Sequence, residues 1–302
     1  MVMQVTVVVP VYRDAARARA AALALLEQKM PPGAVLDVVL VDDGSSDGTV
    51  EALRALEPMV RVLALPHNQG RSGARNAGAA AAAGAIVLFI DCDCLPADQN
   101  LLLGHISALE SGAVASCGHV TGTDTGFWSR YQEDASYRRR RQHASGIEYA
   151  GSSQNLAVRR SDFEAIGGFD TAYRRYGFED RDLLIRLGQR GRIAWITATV
   201  RHQDQLSLFQ VASKMGEAGQ HSSKRFADHH PEAYRQLRYS AIDAQRHPIL
   251  RPLARLASPF AMTLASAFDR IRCEHWLPYA LTRIVVRLTC AAAYFGGTAR
   301  PS

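Results

Sequence analysis

Apolar runs and segments with helical spacing alternate along the first half of the chain. Four apolar runs predict buried strands, namely QVTVVVPVY, LDVVLVDDGS, VRVLALPHN and AIVLFIDCD. Three intervening segments predict helices, namely RDAARARAAALALLEQKM, SDGTVEALRAL and SGARNAGAAAAAG, the last ending at Gly84. Strands that are apolar throughout and separated by helices are typical of parallel sheets covered on both faces. The pattern therefore predicts an α/β fold with a mostly parallel central sheet flanked by helices.

Polar residues follow each of the four apolar runs. Ligands of such sheets bind beyond the carboxyl ends of the strands. The residues expected at those ends are Pro10-Val11-Tyr12, Asp42-Asp43, His67-Asn68 and Asp91-Cys92-Asp93. They are therefore candidates for a binding site.

The stretch 87-VLFIDCDCLP-96 places two carboxylates and two thiols at the end of one run. In a strand, the period of two puts Asp91 and Asp93 on one side and Cys92 and Cys94 on the other. Two carboxylates on one side suit a shared divalent cation such as Mg²⁺ or Mn²⁺, because these ions prefer oxygen ligands. The cysteines would then pack inward as small apolar residues. The alternative is an ordinary acidic surface turn.

The distribution of charge argues against two classes of protein. The formal net charge of the 302 residues is +6, and residues 246–302 carry eight arginines against two acids, Asp269 and Glu274. The rest of the chain is therefore close to neutral, and its strand ends carry acids, so we expect no nucleic-acid partner. No GxGxxG follows the first predicted strand, which argues against a dinucleotide-dependent oxidoreductase.

Targeting and cysteine patterns indicate a reducing compartment. The opening MVMQVTVVVPVYRD lacks the basic lead and long apolar run of a signal peptide. No apolar run reaches the ~20 residues that span a bilayer, so we expect a cytoplasmic protein. The five cysteines contain no CxxC pair and predict neither a disulfide framework nor a thiolate metal site.

Four motifs, VVVPVYRD, VDDGSSDGT, NQGRSGARNAG and FIDCDC, occur in this order and together resemble the nucleotide-sugar-binding half of glycosyltransferase family 2. The resemblance continues through 151-GSSQNLAVRRSDFEAIGGFD-170 and 177-GFEDRDLLIRLGQRG-191, and covers roughly residues 4–205. It implies the A-type glycosyltransferase fold and an inverting transferase that uses a nucleoside-diphosphate sugar. It also implies a division into a nucleotide-sugar-binding half (1–120) and an acceptor-binding and catalytic half of the same domain (121–244). The pattern of the remaining residues, 245–302, predicts an amphipathic helical C-terminal segment.

The resemblance assigns nucleotide-binding roles to strand-end residues. Pro10 and Tyr12 would line the base pocket, although a half-buried strand-end aromatic is the alternative for Tyr12. Asp43 would accept a hydrogen bond from the imide of uracil, a donor that cytosine lacks, which favours UDP; GDP and dTDP, whose thymine carries the same imide, are the alternatives. Asp42 would instead brace its loop. The remaining contacts to the nucleotide would come from Asn68, Arg75 and Asp91, with a solvent-facing helix arginine as the alternative for Arg75.

The resemblance also implies metal and catalytic residues. Asp93, with Asp91, would ligate Mn²⁺ or Mg²⁺ at the diphosphate, and His202, after RIAWITATVRH, would join them or be structural. Asp180 would be the general base that deprotonates the acceptor hydroxyl in a single inverting displacement. Glu179 would position the acceptor. Helix capping is the alternative explanation for one of these acids, and Asp182 would brace the loop.

Acceptor contacts are expected from residues 151–160, which we predict to be a strand. Gln154 and Asn155 offer uncharged donors and acceptors for sugar hydroxyls. The preceding 137-YRRRRQHASG-146 would hold an anionic acceptor or form a solvated loop. Residues 203–226 would fold over the diphosphate as a lid.

The C-terminal segment combines apolar residues and arginines at helical spacing. We expect helices that lie on an anionic membrane surface, which would make the protein peripheral at the inner face of the cytoplasmic membrane. Dimerisation or core packing is the alternative, and the sequence leaves the oligomeric state open. The expected acceptor is a glycan or lipid-linked hydroxyl in bacterial surface-polysaccharide synthesis. Two further alternatives are transfer to a polyprenyl phosphate and a degenerate protein that binds nucleotide sugar without turnover.

Overall fold

The structure is a computed structural model that describes residues 3–300. The chain forms two compact units. The first contains the residues up to Asp124 together with Gln132–Arg174 and Asp180–Asp204, and the second contains Thr125–Tyr131, Arg175–Glu179 and the residues from Gln205 onward. The functional boundaries expected at residues 120 and 244 stay a prediction.

An eight-stranded sheet forms the centre of the first unit. Its strands are β1 (Gln4–Val11), β2 (Val35–Asp42), β3 (Arg61–Ala64), β4 (Ile86–Phe89), β5 (Cys94–Pro96), β6 (Ala115–Thr121), β7 (Leu156–Arg159) and β8 (Ile193–His202). The spatial order is β3-β2-β1-β4-β7-β6-β8-β5. The β1–β2, β2–β3, β1–β4 and β6–β8 pairs are parallel, whereas β7 runs antiparallel to both its neighbours and β5 runs antiparallel to β8. The predicted α/β class is confirmed, with a sheet that is more mixed than the apolar runs alone indicate.

Helices cover both faces of this sheet. They are α1 (Ala15–Leu26), α2 (Thr49–Arg54), α3 (Gly70–Ala80), α4 (Leu101–Glu110), α5 (Phe127–Ala144, which begins in the second unit), α6 (Arg160–Ala165) and α7 (Glu179–Gly188). Alternate valines of β1 separate the two layers: Val5, Val7 and Val9 share a core with α1 and α4, while Val8 belongs to the core that contains α3. This alternation is why the strands are apolar on every residue.

Small residues let α3 lie close to the sheet. A Cβ atom on Gly78 would be only 2.3 Å from Cγ1 of Val8 and 2.9 Å from Cγ2 of Val41. The alanine-rich and glycine-rich sequence of α3 therefore reflects a close approach of backbone to strands, and this approach sets where the amino end of the helix lies.

Three local predictions are wrong. The strand expected to run through Asp93 ends at Phe89, and Cys94 N–H then donates to Asp91 O at 2.9 Å, so Asp91 and Asp93 lie in a turn and the period-two argument does not apply. The inward packing of Cys92 and Cys94 is nevertheless observed. The strand expected over residues 151–160 begins only at Leu156, after a 3₁₀ turn at Ser153–Asn155. Arginines 138–141 lie in α5 rather than in a loop.

The second unit is helical. It contains α8 (Leu208–Glu217), a π-helical turn (Ala218–Ser222), α9 (Ser223–His229), α10 (Pro231–Gln236), α11 (Arg251–Ile271) and α12 (Tyr279–Thr298). A shared core joins α8, α11 and α12 through Leu208, Ala212, Ala261, Ala265, Phe268, Val286, Cys290 and Ala293. The predicted C-terminal helices are confirmed, and among residues 3–300 no helix combines the length and apolar character needed to cross a bilayer. The cytoplasmic location stays a prediction.

An aromatic cluster forms a second core of this unit. Phe178 stacks on Phe226 with ring centroids 4.6 Å apart and contacts Tyr234, Tyr239 and Tyr294. Phe178 has a φ of +71°, a left-handed conformation that is unfavourable for a bulky residue. The ring contacts therefore hold this backbone in a conformation that it would not adopt alone.

Candidate active site

The loop after β2 is held by the two adjacent aspartates, Asp42 and Asp43. Asp42 Oδ2 accepts the Ser45 N–H at 2.9 Å, which is the bracing contact expected of it. Asp43 accepts the N–H of Gln69 at 2.7 Å and that of Gly70 at 3.0 Å, one on each carboxylate oxygen. The second aspartate therefore fixes the segment that leads into α3.

The chemistry of Asp43 follows from its surroundings. Burial raises the pKa of Asp43, while the hydrogen bonds from Gln69 and Gly70 lower it in part. Each carboxylate oxygen accepts more than one hydrogen bond, so the carboxylate retains capacity for an imide donor. Gly44 has a φ of +71°, and a Cβ there would be 2.5 Å from the carbonyl carbon of His67, so only glycine fits.

The other residues expected at the base lie on exposed strand ends. Pro10 is the second-last residue of β1, and Tyr12 directly follows the strand with 45% of its surface exposed. The guanidinium of Arg13 lies 5.0 Å from the Tyr12 ring centroid. Asn68 is exposed and its side-chain oxygen accepts the Gly70 N–H at 3.2 Å. These positions agree with a base pocket, but the role itself stays a prediction.

Arg75 is buried, so the solvent-facing alternative is wrong. Only 1% of its surface is exposed. Its Nη2 donates to Asp91 Oδ1 at 2.6 Å, and its guanidinium lies 5.3 Å from the centroid of Phe169. The side chain of Asp91 therefore pairs with Arg75 of α3.

Asp93 instead gathers with His202 and Asp204. One potential ligand atom from each of these residues lies within 4.8 Å of the others, and His202 Nε2 is 3.4 Å from Asp93 Oδ2. The other ring nitrogen of His202, Nδ1, lies 3.1 Å from Gln132 Nε2, which fixes the ring orientation. Arg17 contacts Asp204 Oδ1 at 2.6 Å and supplies positive charge to that carboxylate.

This set of side chains fits a divalent cation. Two carboxylates held this close repel each other unless a positive charge lies between them. Carboxylate oxygens suit Mg²⁺ and Mn²⁺, and an imidazole nitrogen in the set favours a transition metal. The sequence analysis did not include Asp204 among the metal ligands. An acid two residues after His202, at the end of a predicted strand, could have indicated it. Asp204 was assigned instead to the predicted lid, and Asp91 was placed in the metal site, where the structure does not place it.

Asp180 lies in the first turn of α7 and has one unused oxygen. Its Oδ2 accepts the Ser152 hydroxyl at 3.3 Å. Its Oδ1 is buried and has no hydrogen-bond partner within residues 3–300. Since buried polar atoms in folded proteins are nearly always paired, such an oxygen is a candidate to accept a proton or hydrogen bond from a ligand.

The neighbouring acids, Glu179 and Asp182, form hydrogen bonds within the protein. Glu179 is mostly buried and its Oε2 accepts the Gly177 N–H at 2.9 Å, just before α7. Asp182 pairs with Arg186 at 2.6 Å, and Arg186 also donates to the carbonyl oxygens of Ile166 and Gly168. Asp182 thus braces the loop as expected. The capping explanation therefore applies to Glu179 more than to Asp180.

The two residues expected to contact an acceptor differ. Gln154 is half-buried and lies 3.4 Å from the Ser152 hydroxyl and 3.8 Å from Cys94 Sγ. Asn155 is fully buried: its oxygen pairs with His105 Nε2 at 2.7 Å, and its nitrogen donates to the carbonyl oxygens of His119 and Ala198. Asn155 therefore stabilises the interior of the sheet, and it is not placed to touch an acceptor.

Comparison with known proteins agrees with this geometry. A family model described as glycosyl transferase family 2 matches residues 6–167, more than half of the chain. A protein named glycosyltransferase AglE from Haloferax volcanii is 30% identical over 169 residues, 55% of each chain, so the match spans only about half of that relative. A Mycobacterium tuberculosis protein named N-acetylglucosaminyl-diphospho-decaprenol L-rhamnosyltransferase is 28% identical over 234 residues, 66% of this chain and 73% of that one.

Similarity to solved structures establishes the fold. The mannosyltransferase PcManGT from Pyrobaculum calidifontis, solved with GDP-Man and Mn²⁺, superposes with a TM-score of 0.60 at 21% identity. The superposition covers 97% of this chain and 86% of that one, so the similarity extends through the C-terminal helices.

Proposed function

Because the chain belongs to glycosyltransferase family 2, we propose that it is an inverting, metal-dependent transferase. It moves a sugar from a nucleoside-diphosphate sugar to a hydroxyl group of a glycan or lipid-linked acceptor. The observation that carries this proposal is the cluster of Asp93, His202 and Asp204, whose ligand atoms lie within 4.8 Å of one another.

In this proposal the three clustered side chains hold Mn²⁺ or Mg²⁺. A divalent ion supplies positive charge that offsets the charge on a departing diphosphate. The protein contributes the fixed arrangement: Gln132 orients His202, and Arg17 limits the repulsion that Asp204 would otherwise exert on Asp93. The presence of an imidazole ligand favours Mn²⁺ over Mg²⁺.

The donor nucleotide lies, in this proposal, across the ends of β1 and β2. Tyr12 offers an exposed ring for stacking on a base, and Asp43 offers a carboxylate whose position is fixed by the segment before α3. An ionised carboxylate can accept hydrogen bonds but cannot donate them, so Asp43 suits the imide N–H of uracil. This supports UDP as the preferred nucleotide. Asn68 and the buried Arg75–Asp91 pair complete the nucleotide side.

Asp180 acts as the general base. Ser152 holds Oδ2, so Oδ1 is the atom that accepts the proton of the acceptor hydroxyl. The hydroxyl oxygen then forms a bond to the anomeric carbon while the bond from that carbon to the diphosphate oxygen breaks, which inverts the centre. Glu179, the preceding residue, and Gln154 are the proposed contacts to the acceptor.

A lipid-linked acceptor is supported by the mycobacterial relative, whose name gives a sugar-diphospho-decaprenol as its substrate. That observation favours a lipid-linked hydroxyl in surface-polysaccharide synthesis over a polyprenyl phosphate. The presence of Asp93 in the carboxylate and imidazole cluster, together with the unused oxygen of Asp180, supports a catalyst over a degenerate binding protein.

Parallel measurements of donor binding and sugar transfer test the proposal. Asp180→Asn should leave the affinity for the UDP-sugar, measured by calorimetric titration with Mn²⁺, within a few-fold of the native value. Turnover should fall by roughly a hundredfold or more, the scale of general-base catalysis. Asp93→Asn should weaken metal-dependent donor binding itself. Asp228→Asn, at an exposed carboxylate of α9, serves as the matched control and should change neither quantity.

Two results would contradict these assignments. Near-native turnover by Asp180→Asn would show that another group is the base, with Glu179 the first candidate. Donor binding by the native protein without turnover on any hydroxyl acceptor would favour the degenerate binding protein.

A further inference from the structure

Helix α11 carries a stripe of large apolar side chains that the protein leaves uncovered. The stripe consists of Leu253, Leu256, Phe260, Leu264 and Ile271, which recur at helical spacing, and we call it the α11 stripe. Leu256 and Phe260 are 70% and 69% exposed. Single exposed leucines are ordinary on proteins, but a continuous row of this kind marks an interaction surface.

The stripe is not an unfilled part of the core. The opposite side of α11 is already buried through Ala254, Ala261, Ala265 and Phe268. The helices also meet closely, since a Cβ on Gly296 of α12 would lie 2.4 Å from the Cβ of Ser258. The bundle is therefore complete on its inner side, and the exposed side chains remain after it has formed.

Positive charge accompanies the stripe. Residues 246–302 contain eight arginines and two acids. One acid, Asp269, is occupied: its two oxygens accept the Leu208 N–H at 2.8 Å and the Phe209 N–H at 2.9 Å at the start of α8. Next to Ile271 at the end of the stripe, Arg270 and Arg272 are exposed and form no ion pair with any residue in the range 3–300. An occupant of this surface would meet apolar side chains and unneutralised arginines together.

We propose that the α11 stripe docks the protein on an anionic lipid bilayer. The stripe would enter the boundary between headgroups and acyl chains, while the arginines contact anionic headgroups. A second copy of the chain fits less well, because its stripe would present the same apolar side chains and arginines, with no carboxylate to pair with Arg270 and Arg272. No helix in the described range is suited to crossing a bilayer, so the contact is one that lies on the membrane. This proposal stands apart from the transferase chemistry.

Flotation of the full-length protein with vesicles tests the proposal without donor or acceptor. Binding should be strong to phosphatidylcholine vesicles containing about a third phosphatidylglycerol, weak to pure phosphatidylcholine, and lower at about 0.5 M NaCl than at about 0.05 M NaCl. Leu256→Glu combined with Phe260→Glu should reduce the affinity for anionic vesicles at least a hundredfold, since each large apolar side chain contributes tenfold or more. The matched control, Leu23→Glu combined with Met59→Glu, changes two exposed apolar residues elsewhere and should bind as the native protein does.

A second pair of substitutions tests how much the arginines contribute to vesicle binding. Arg270→Gln combined with Arg272→Gln should weaken binding by roughly twenty-five-fold at low salt, because each arginine near an anionic surface contributes about fivefold. Arg19→Gln combined with Arg54→Gln removes two exposed arginines of α1 and α2 and is the control. Circular dichroism and thermal midpoints establish that each variant is folded.

Three outcomes would overturn the proposal. One is a native protein that does not bind anionic vesicles. Another is equal loss of binding in the α11 variant and its control. The third is a native protein that is dimeric by light scattering and becomes monomeric in the Leu256→Glu, Phe260→Glu variant, which would identify the stripe as a contact between copies. Loss of transferase activity alone bears on the proposed reaction and leaves the docking result unchanged.

Discussion

Replacing Asp91 by alanine should destabilise the fold, whereas replacing Asp93 should not. The two aspartates are separated by one residue, yet their partners differ. Asp91 Oδ1 accepts from the buried Arg75 at 2.6 Å, while Asp93 lies with His202 and Asp204 in the proposed cation site. Asp91→Ala leaves the guanidinium of Arg75 buried without its carboxylate. Asp93→Ala removes one of two carboxylates that repel each other.

The size of the effect follows from the burial of the pair. Breaking a buried ion pair by removing one partner costs about 3–5 kcal/mol. The side chain of Asp91 is 21% exposed and Arg75 keeps further interactions, so we expect a cost at or just below the lower limit of that range, about 2–3 kcal/mol. At about 2 °C per kcal/mol for a chain of this size, the thermal midpoint should fall by about 4–6 °C. Asp93→Ala should change the stability by less than about 0.5 kcal/mol.

Urea denaturation followed by circular dichroism measures both variants, with and without Mn²⁺. Asp91→Ala should keep the stabilisation that Mn²⁺ gives to the native protein, and Asp93→Ala should lose it. In the double variant Arg75→Met, Asp91→Ala the charge is removed together with its partner, so much of the lost stability should return. An Asp91→Ala variant no less stable than Asp93→Ala, or a double variant as unstable as the sum of the two single changes, would contradict a stabilising pair of Arg75 and Asp91.

Three further predictions concern residues outside the proposed site. Gly78→Val should cost at least about 1–3 kcal/mol by overpacking α3 against Val8. Gly188→Val, at a glycine of α7 where a Cβ would have its nearest neighbour at 3.8 Å, should lack this packing cost; equal folding yields of the two would contradict the close approach. Burial lowers the pKa of His105 to about 4, below its ordinary 6.5, so the unfolded chain binds a proton between these values and the free energy of unfolding should fall as the pH drops from 6.5 to 4. His105→Gln should flatten that slope in denaturation measured across this range, and an unchanged slope would show that another group titrates. Asp269→Asn should cost about 0.5–2 kcal/mol by weakening the acceptor at the start of α8, and an unchanged urea midpoint would contradict that role.

The alternation of apolar runs and helical spacings was sufficient to predict the sheet and its covering layers. The runs that form β1 and β4 are buried on both faces, and this burial is the property that the sequence pattern records. The run that forms β3 is only half-buried. The antiparallel direction of β7 is not recorded in the same way, because Leu156–Arg159 is as apolar as a parallel strand. Direction depends on the path of the connecting segment, and no residue of the strand specifies it.

Within the candidate site, residue types were easier to predict than their partners. The acids at 91 and 93 were found, but the turn after Phe89 sends Asp91 towards Arg75 and Asp93 towards His202. Asp204 joins the cluster because β8 ends at His202, and the end of a strand is uncertain by a residue or two in any sequence pattern. Asn155 was misassigned because an interior amide and a surface amide have the same sequence signature until the burial of the strand is known.

The division of the chain into two units determines whether either unit could be produced alone. The chain passes between the units five times, after Asp124, Tyr131, Arg174, Glu179 and Asp204. Two segments joined end to end would need a single passage, so neither unit can be separated from the other by one cut of the chain. The short segment Arg175–Glu179, which belongs to the second unit, contains Phe178. The rings that contact Phe178 include Phe226, Tyr234 and Tyr294, which all lie in the C-terminal third of the chain. A chain cut after Asp204 would retain that phenylalanine with none of these partners, so we expect the truncated protein to aggregate through exposed aromatic surface.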